Sequence, residues 1–167
     1  METITRLNPF PGLRSFEEDE DYLFFGREEQ TDDLLKRLGN THFLAVIGTS
    51  GSGKSSLVKS GLRPFLHGGY MVSAGSSWKV AISRPGNDPI GNLARALSNS
   101  SVLYENVDDS NQSMYSAIIE STLRRSTLGL AEAFKQSDIT DHQNLLVVVD
   151  QFEELFRFNR YEKMNQE

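Results

Sequence analysis

The sequence predicts an α/β fold built on a parallel sheet, and three observations predict it. Short runs at 41–47 (THFLAVI), 78–83 (WKVAIS) and 145–149 (LLVVV) read as strands, the last being the most strand-like. Stretches with helical spacing alternate with them. The first run leads into Gly48-Thr49-Ser50-Gly51-Ser52-Gly53-Lys54-Ser55, a full match to G-x-x-x-x-G-K-[ST]. Strands that alternate with helices imply βαβ units, whose crossovers make the strands parallel.

Residues 1–22 read as irregular, because Pro9, Pro11 and Gly12 break regular structure. The acidic run 17–21 reads as a solvated surface. Helical spacing begins near Arg27, with Leu34, Leu35 and Leu38 forming an apolar stripe up to Gly39. The run 41–47 reads as a buried strand ending in a Gly/Ser-rich loop. A helix is expected over 55–66, with Leu57, Val58, Leu62 and Leu66 on one side. Arg84-Pro85-Gly86-Asn87 ends the second strand, and Asp88 can cap a helix from Pro89 through Leu97. Residues 98–113, rich in Ser, Asn and Asp, read as a surface loop. Residues 115–136 are mostly helical, with a break at 126–129. The last strand ends at Asp150, and a helix is expected over 152–160. There is no internal repeat and no sign of a second domain.

Composition narrows the function. The 167 residues fit one domain. The net charge is −6 and no basic stripe is present, so nucleic-acid binding lacks electrostatic support. The absence of cysteine excludes disulfides and thiolate metal sites. His42, His67 and His142 are scattered and read as loop or surface residues. No stretch approaches the ~18 apolar residues that span a bilayer, and the first residues lack the apolar core of a signal peptide. A cytoplasmic protein with no membrane or nucleic-acid partner is the simplest expectation.

The glycine-rich segment carries the chemistry. Its glycines let the backbone wrap around phosphate oxygens with N–H groups turned inward, and the following helix adds its own N-terminal amides. Lys54 can bridge the β- and γ-phosphates, and the Ser55 hydroxyl can ligate Mg²⁺. Ser50, Gly51, Ser52, Gly53, Lys54, Ser55 and Ser56 are thus the candidate phosphate ligands. A chance match is expected about once in a few hundred chains of this length, and the flanking apolar structure argues against a flexible linker.

The second candidate site is Asp150-Gln151-Phe152-Glu153-Glu154. In open α/β sheets ligands sit at the carboxyl ends of strands, where Asp150 can hold Mg²⁺ through water. Glu153 or Glu154 can then orient or deprotonate the attacking water. Helical spacing lets only one of them face the site; Glu153 is the choice and Glu154 the alternative. An acidic helix start is the plain structural reading of the same residues.

Four segments together carry a family resemblance: Asn8-Pro9-Phe10-Pro11-Gly12-Leu13-Arg14-Ser15-Phe16, Phe24-Phe25-Gly26-Arg27-Glu28, the phosphate loop, and Val149-Asp150-Gln151-Phe152-Glu153-Glu154-Leu155-Phe156. Arg84-Pro85-Gly86 and Leu123-Arg124-Arg125 fit the same pattern. The chain resembles the STAND branch of P-loop NTPases, especially the bacterial novel STAND type that often precedes WD-repeat or other sensor modules. The resemblance implies an ASCE/AAA+-like three-layer α/β/α fold with a parallel sheet. It divides the chain into an irregular segment, 1–22, and a partial NTPase domain, 23–167, with Walker A at 48–55 and Walker B at 145–150. It implies that Gly26 and Arg27 lie beside an adenine, although Phe25-Gly26-Arg27-Glu28 also suits a plain helix start. Arg84 is placed near the phosphates, or is simply part of a turn.

What the resemblance implies for function is ATP or ADP binding with Mg²⁺ and slow ATP hydrolysis that switches a signalling protein between closed and oligomeric states, including in defence against phage. A nucleotide-binding regulatory module without turnover is the alternative, and a small-molecule kinase is disfavoured by the carboxylate after Asp150. No Asn-Lys-x-Asp guanine-reading motif is present. The family pattern continues past the acidic site with further strands, a sensor residue and a lid, so the chain reads as a fragment. In the family topology a later strand lies between the phosphate-loop strand and the Asp150 strand. Its absence leads to the expectation of self-association and little turnover.

Overall fold

The computed structural model describes residues 11–12, 14–69, 77–100, 102–105, 107–140 and 142–157. Asn8, Pro9, Phe10 and Leu13, and the expected helix beyond residue 157, lie outside them. The chain divides into two compact units, one within residues 1–76 and one within 77–167.

The first unit is helical. A 3-10 helix, Glu18–Leu23, precedes α1, Glu28–Thr41. In α1, Thr31, Leu34, Leu35 and Leu38 are buried, the i, i+3, i+4, i+7 stripe of an amphipathic helix. Glu28 and Glu29 suit the positive end of its dipole, and His42 in the left-handed conformation closes it with an N–H to the Leu38 carbonyl. After the glycine-rich loop come α2, Lys54–Ser56, a π-helical stretch, Leu57–Leu62, and α3, Arg63–His67. These form one continuous helical run. Gly61 sits where it meets its neighbours: an added Cβ would lie 2.8 Å from Thr31 Oγ1 and 3.5 Å from Phe24 Cε1.

The acidic run is solvent-facing as expected, with none of its residues buried. It also forms the 3-10 helix, and its first carboxylates pair with Lys59 and Arg63. One expectation for this unit is corrected: the run 41–47 is not a buried strand. Thr41 ends α1, residues 43–49 have no regular secondary structure, and Phe43 and Ile47 are 80% and 91% exposed. An apolar run becomes a strand only by laddering with a neighbour, and among the described residues the only ladder lies in the other unit.

The second unit holds that ladder, β1, Trp78–Ser83, parallel to β2, Asn144–Val149, in the register Trp78↔Asn144 through Ser83↔Val149. Between them run α4, Pro89–Leu97, α5, Gln112–Arg125, and α6, Gly129–Lys135. Asp88 caps α4 as expected, accepting from the Gly91 N–H at 3.2 Å. The core joins Ala81 of β1 to Ala94 and Leu97 of α4, Ile119 of α5 and Ala133 of α6. The polar stretch after α4 is more than a surface loop. It sends Val102 and Leu103 into this core, where Leu103 is 1% exposed, and its backbone bonds to Leu97 and Asp138. Its Ser, Asn and Asp content hid three apolar residues, counting buried Val107.

The architecture is thus mixed helix and strand with a two-stranded parallel sheet, compatible with an α/β NTPase. The three-layer arrangement is not seen among the described residues.

Two outcomes follow for the first unit. Gly61→Ala should cost about 1–3 kcal/mol by overpacking, because Thr31 Oγ1 is itself held by the Arg27 carbonyl at 3.1 Å. An unchanged urea midpoint would contradict the close approach. Glu20 accepts a two-pronged bond from Arg14 and the Glu17 N–H, which together lower its carboxyl from 4.5 to about 2. A depressed carboxylate contributes stability above the higher value and loses it as pH falls from 4.5 toward about 2. Thermal melts across that window should show a shallower acid dependence for Glu20→Gln, and an identical slope would rule the pair out as a contributor.

Candidate functional site

In the first unit the glycine-rich loop closes with a turn, Ser52 N–H to the Thr49 carbonyl at 3.2 Å. Gly51 and Gly53 have φ of 76° and 83°, which side chains with a Cβ rarely adopt. Gly48 is needed for space: a Cβ there would lie 2.9 Å from Ser52 Oγ. The helical run takes over at once, with Leu57 N–H on the Gly53 carbonyl at 2.8 Å. The Lys54 ammonium folds back and donates to the Gly48 and Thr49 carbonyls, both at 2.9 Å. A cation is thereby held by loop carbonyls beside two turns, at Gly51 and Gly53, whose positive φ favours glycine.

Arg27 reaches this loop: its Nη2 donates to the Ser52 carbonyl at 3.4 Å, a long contact. Gly26, with φ of 78°, donates its N–H to Glu28 Oε1 at 3.0 Å. That bond and the N–H of Glu28 itself hold the Glu28 carboxyl below the usual range. The structure thus brings Arg27 to Ser52 of the loop, while the Gly26 N–H bonds locally, to Glu28. Ser56 is buried, and its Oγ accepts the Phe16 N–H at 3.1 Å, so its side chain serves the N-terminal segment.

The acidic cluster belongs to the second unit and is described by itself. Asp150 extends the ladder with its N–H on the Ser83 carbonyl at 2.8 Å, which places it at the carboxyl end of β2. Arg84 leaves the equivalent end of β1, with Nη2 3.4 Å from Asp150 Oδ2. Gln151 turns the chain sharply, with φ of 57°. Three i→i−3 bonds follow, from Glu154, Leu155 and Phe156 back to Gln151, Phe152 and Glu153. This tight winding separates the two glutamates. Glu154 accepts the Gly86 N–H at 2.9 Å, whereas Glu153 is exposed. An open cleft of about 490 Å³ beside them is lined by Ser83, Arg84, Gly86, Asn92, Arg95 and Glu154 among others.

Among the described residues no three His, Cys, Asp or Glu side chains gather. Mg²⁺ keeps several waters and takes one or two carboxylates plus substrate phosphates, so its binding requires no such cluster.

Sequence reasoning missed the partners of the helical run behind the loop. Ser56, Lys59, Ser60 and Arg63 lie at i, i+3, i+4 and i+7, and all contact residues 16–18. The signal was available as a polar stripe on a helix otherwise read only for its apolar side. Arg124 was noticed only as part of a pattern; it ties the end of α5 to the α4 cap through Asp88 at 3.2 Å.

A family model, Novel STAND NTPase 1, matches residues 9–167. Comparison with curated proteins and with solved structures gave no match.

The two glutamates should behave differently. Glu154→Ala should lose about 1 kcal/mol by orphaning the Gly86 N–H, while Glu153→Ala should stay within about 0.5 kcal/mol of the parent. Chemical denaturation of both variants checks this, and equal losses would contradict the assigned roles.

Proposed function

The chain belongs to the Novel STAND NTPase 1 family, and from that premise we propose that it binds ATP or ADP with Mg²⁺ and hydrolyses ATP slowly as a signalling switch. The observation that carries this reading is the Lys54 ammonium held at 2.9 Å by two loop carbonyls. Those bonds keep the cation at the loop before any ligand arrives. Pre-organised charge of this kind costs no reorganisation when phosphate oxygens enter. Ser50, Gly51, Ser52, Gly53, Lys54, Ser55 and Ser56 would contribute backbone N–H groups around the phosphates. Ser55 Oγ and Asp150 would hold the Mg²⁺ ion, which when bound neutralises charge on the transferred phosphoryl group.

Gly26 and Arg27 would set the position of the base, since Arg27 already reaches the loop. In the second unit, Glu153 would orient the attacking water. Glu154 lines the cleft and holds the Gly86 N–H, so it is the alternative, and the two glutamate variants below decide between them. Arg84 would keep the Asp150 carboxylate oriented at the strand end. The domain division, 1–22 and 23–167, and the coupling of turnover to self-association are parts of the same proposal.

Calorimetric titration tests it. Lys54→Ala should abolish Mg²⁺·ATP binding while leaving the melting temperature close to the parent's, because the ammonium contacts only exposed loop carbonyls. Undiminished affinity in that variant would refute the phosphate site. Glu153→Gln should then slow hydrolysis without weakening binding; if Glu154→Gln does so instead, the water-orienting role moves to Glu154.

A further inference from the structure

The helical run that begins at Lys54 is gripped along one side by the N-terminal segment 14–23. Four consecutive contacts make the grip. Phe16 N–H donates to Ser56 Oγ at 3.1 Å, and Lys59 Nζ pairs with Glu17 Oε1 at 2.7 Å. Ser60 Oγ donates to the Glu17 carbonyl, and Arg63 Nη2 pairs with Glu18 Oε2 at 2.7 Å. The segment is itself shaped for this. Arg14 and the Glu17 N–H both bond Glu20, and Phe16 packs on Phe24 with ring centres 5.7 Å apart. On the helix side Ser56 and Ser60 are buried and the Lys59 and Arg63 side chains are 15% and 22% exposed, while Glu17 and Glu18 remain 49% and 36% exposed.

The position of the grip matters more than its strength. Ser56 directly follows Ser55, and the next residue, Leu57, bonds back to Gly53 of the loop. The middle of the run, Leu57–Leu62, winds as a π-helix, a rare form that occurs mostly as a single turn within an α-helix, frequently at functional sites. Here it is held by the segment on one side and by the Gly61 contact with Thr31 and Phe24 on another. Release of residues 16–18 would free this stretch to rewind, and rewinding would turn Ser55 and Lys54 relative to the loop.

We propose that segment 14–23 is a positioning strap, and that Glu17 and Glu18, through Lys59, Ser60, Arg63 and Ser56, set nucleotide affinity by fixing the register of the helix behind the phosphate loop. This rests on the nucleotide-binding reading above. Neither glutamate touches the ligand; both act through the helix.

The test is calorimetric titration of the whole chain with Mg²⁺·ATP, held well below each variant's melting temperature. Glu17→Lys with Glu18→Lys reverses both ion pairs and should weaken affinity about tenfold, within the usual range of coupling between sites. Adding Lys59→Glu and Arg63→Glu restores opposite charges and should bring affinity back to within about threefold of the parent. A strap that served only stability would lower the melting temperature and leave the affinity of the folded chain unchanged, and that result overturns the proposal. Should the reversed chain not fold, Ser60→Ala replaces it, with an expected loss of about three- to fivefold; unchanged affinity there counts equally against the strap. Lys54→Ala is run beside them. If the parent binds and Lys54→Ala does not, the phosphate site stands whatever the strap variants show. If the parent binds no nucleotide, both readings fall.

Discussion

The helical run 54–67 must satisfy two sets of partners at once, and the first unit is arranged around that requirement. Its leading end has to deliver Lys54 and Ser55 to a loop whose backbone turns at Gly51 and Gly53 with positive φ. Its body has to lie close enough to Phe24 and Thr31 that only glycine fits at position 61. A regular α-helix would rotate about 100° per residue and fix both ends together. The π-helical stretch Leu57–Leu62 changes that phase, so the run can serve the loop at one end and bury Leu62 and Leu66 at the other.

The second unit solves a different problem, the delivery of a carboxylate to the end of a strand. The six paired positions from Trp78 to Ser83 set the height of Asp150, and the Ser83 carbonyl adds one more bond to hold it there. The sharp turn at Gln151 then changes the chain's direction within one residue. A residue with a Cβ in that conformation stores about 1 kcal/mol or more, a cost that persists where surrounding structure fixes it. The fixing contacts are visible: Asp150 is tied to Ser83 on one side of the turn, and Glu154 to Gly86 on the other.

Local signals were legible in the sequence and non-local ones were not. The Asp88 cap, the helix Pro89–Leu97 and the break near 126–129 each depend on residues a few positions apart, and the structure places them as read. The strand 78–83 is also placed as read, because its distant partner 144–149 is there to pair with it. The glycine-rich loop was legible for the same reason, since its shape is dictated by its own residues. The run 41–47 failed because strand formation needs a partner elsewhere in the chain, which apolar composition cannot supply. The acidic run is solvent-facing as read, but its counter-charges, Lys59 and Arg63, were not legible because they lie some forty residues away. Glu153 and Glu154 could not be separated from spacing, because Glu153 lies in the turn 151–153, with i→i−3 bonds, and Glu154 begins the helical residues 154–157. The family assignment rested on a combination of segments and was confirmed over residues 9–167.

The central claim is that backbone amides of the glycine-rich loop bind nucleotide phosphate. Amide proton–nitrogen spectra of the labelled chain, recorded with and without Mg²⁺·ATP, test it most directly, because a new hydrogen bond to a phosphate oxygen moves the donor's own resonance. The largest shifts should fall on Gly51, Gly53, Lys54 and Ser55, with smaller ones at Gly26 and Arg27. Spectra in which those resonances stay fixed at saturating nucleotide, or in which the largest shifts fall elsewhere, would contradict the account.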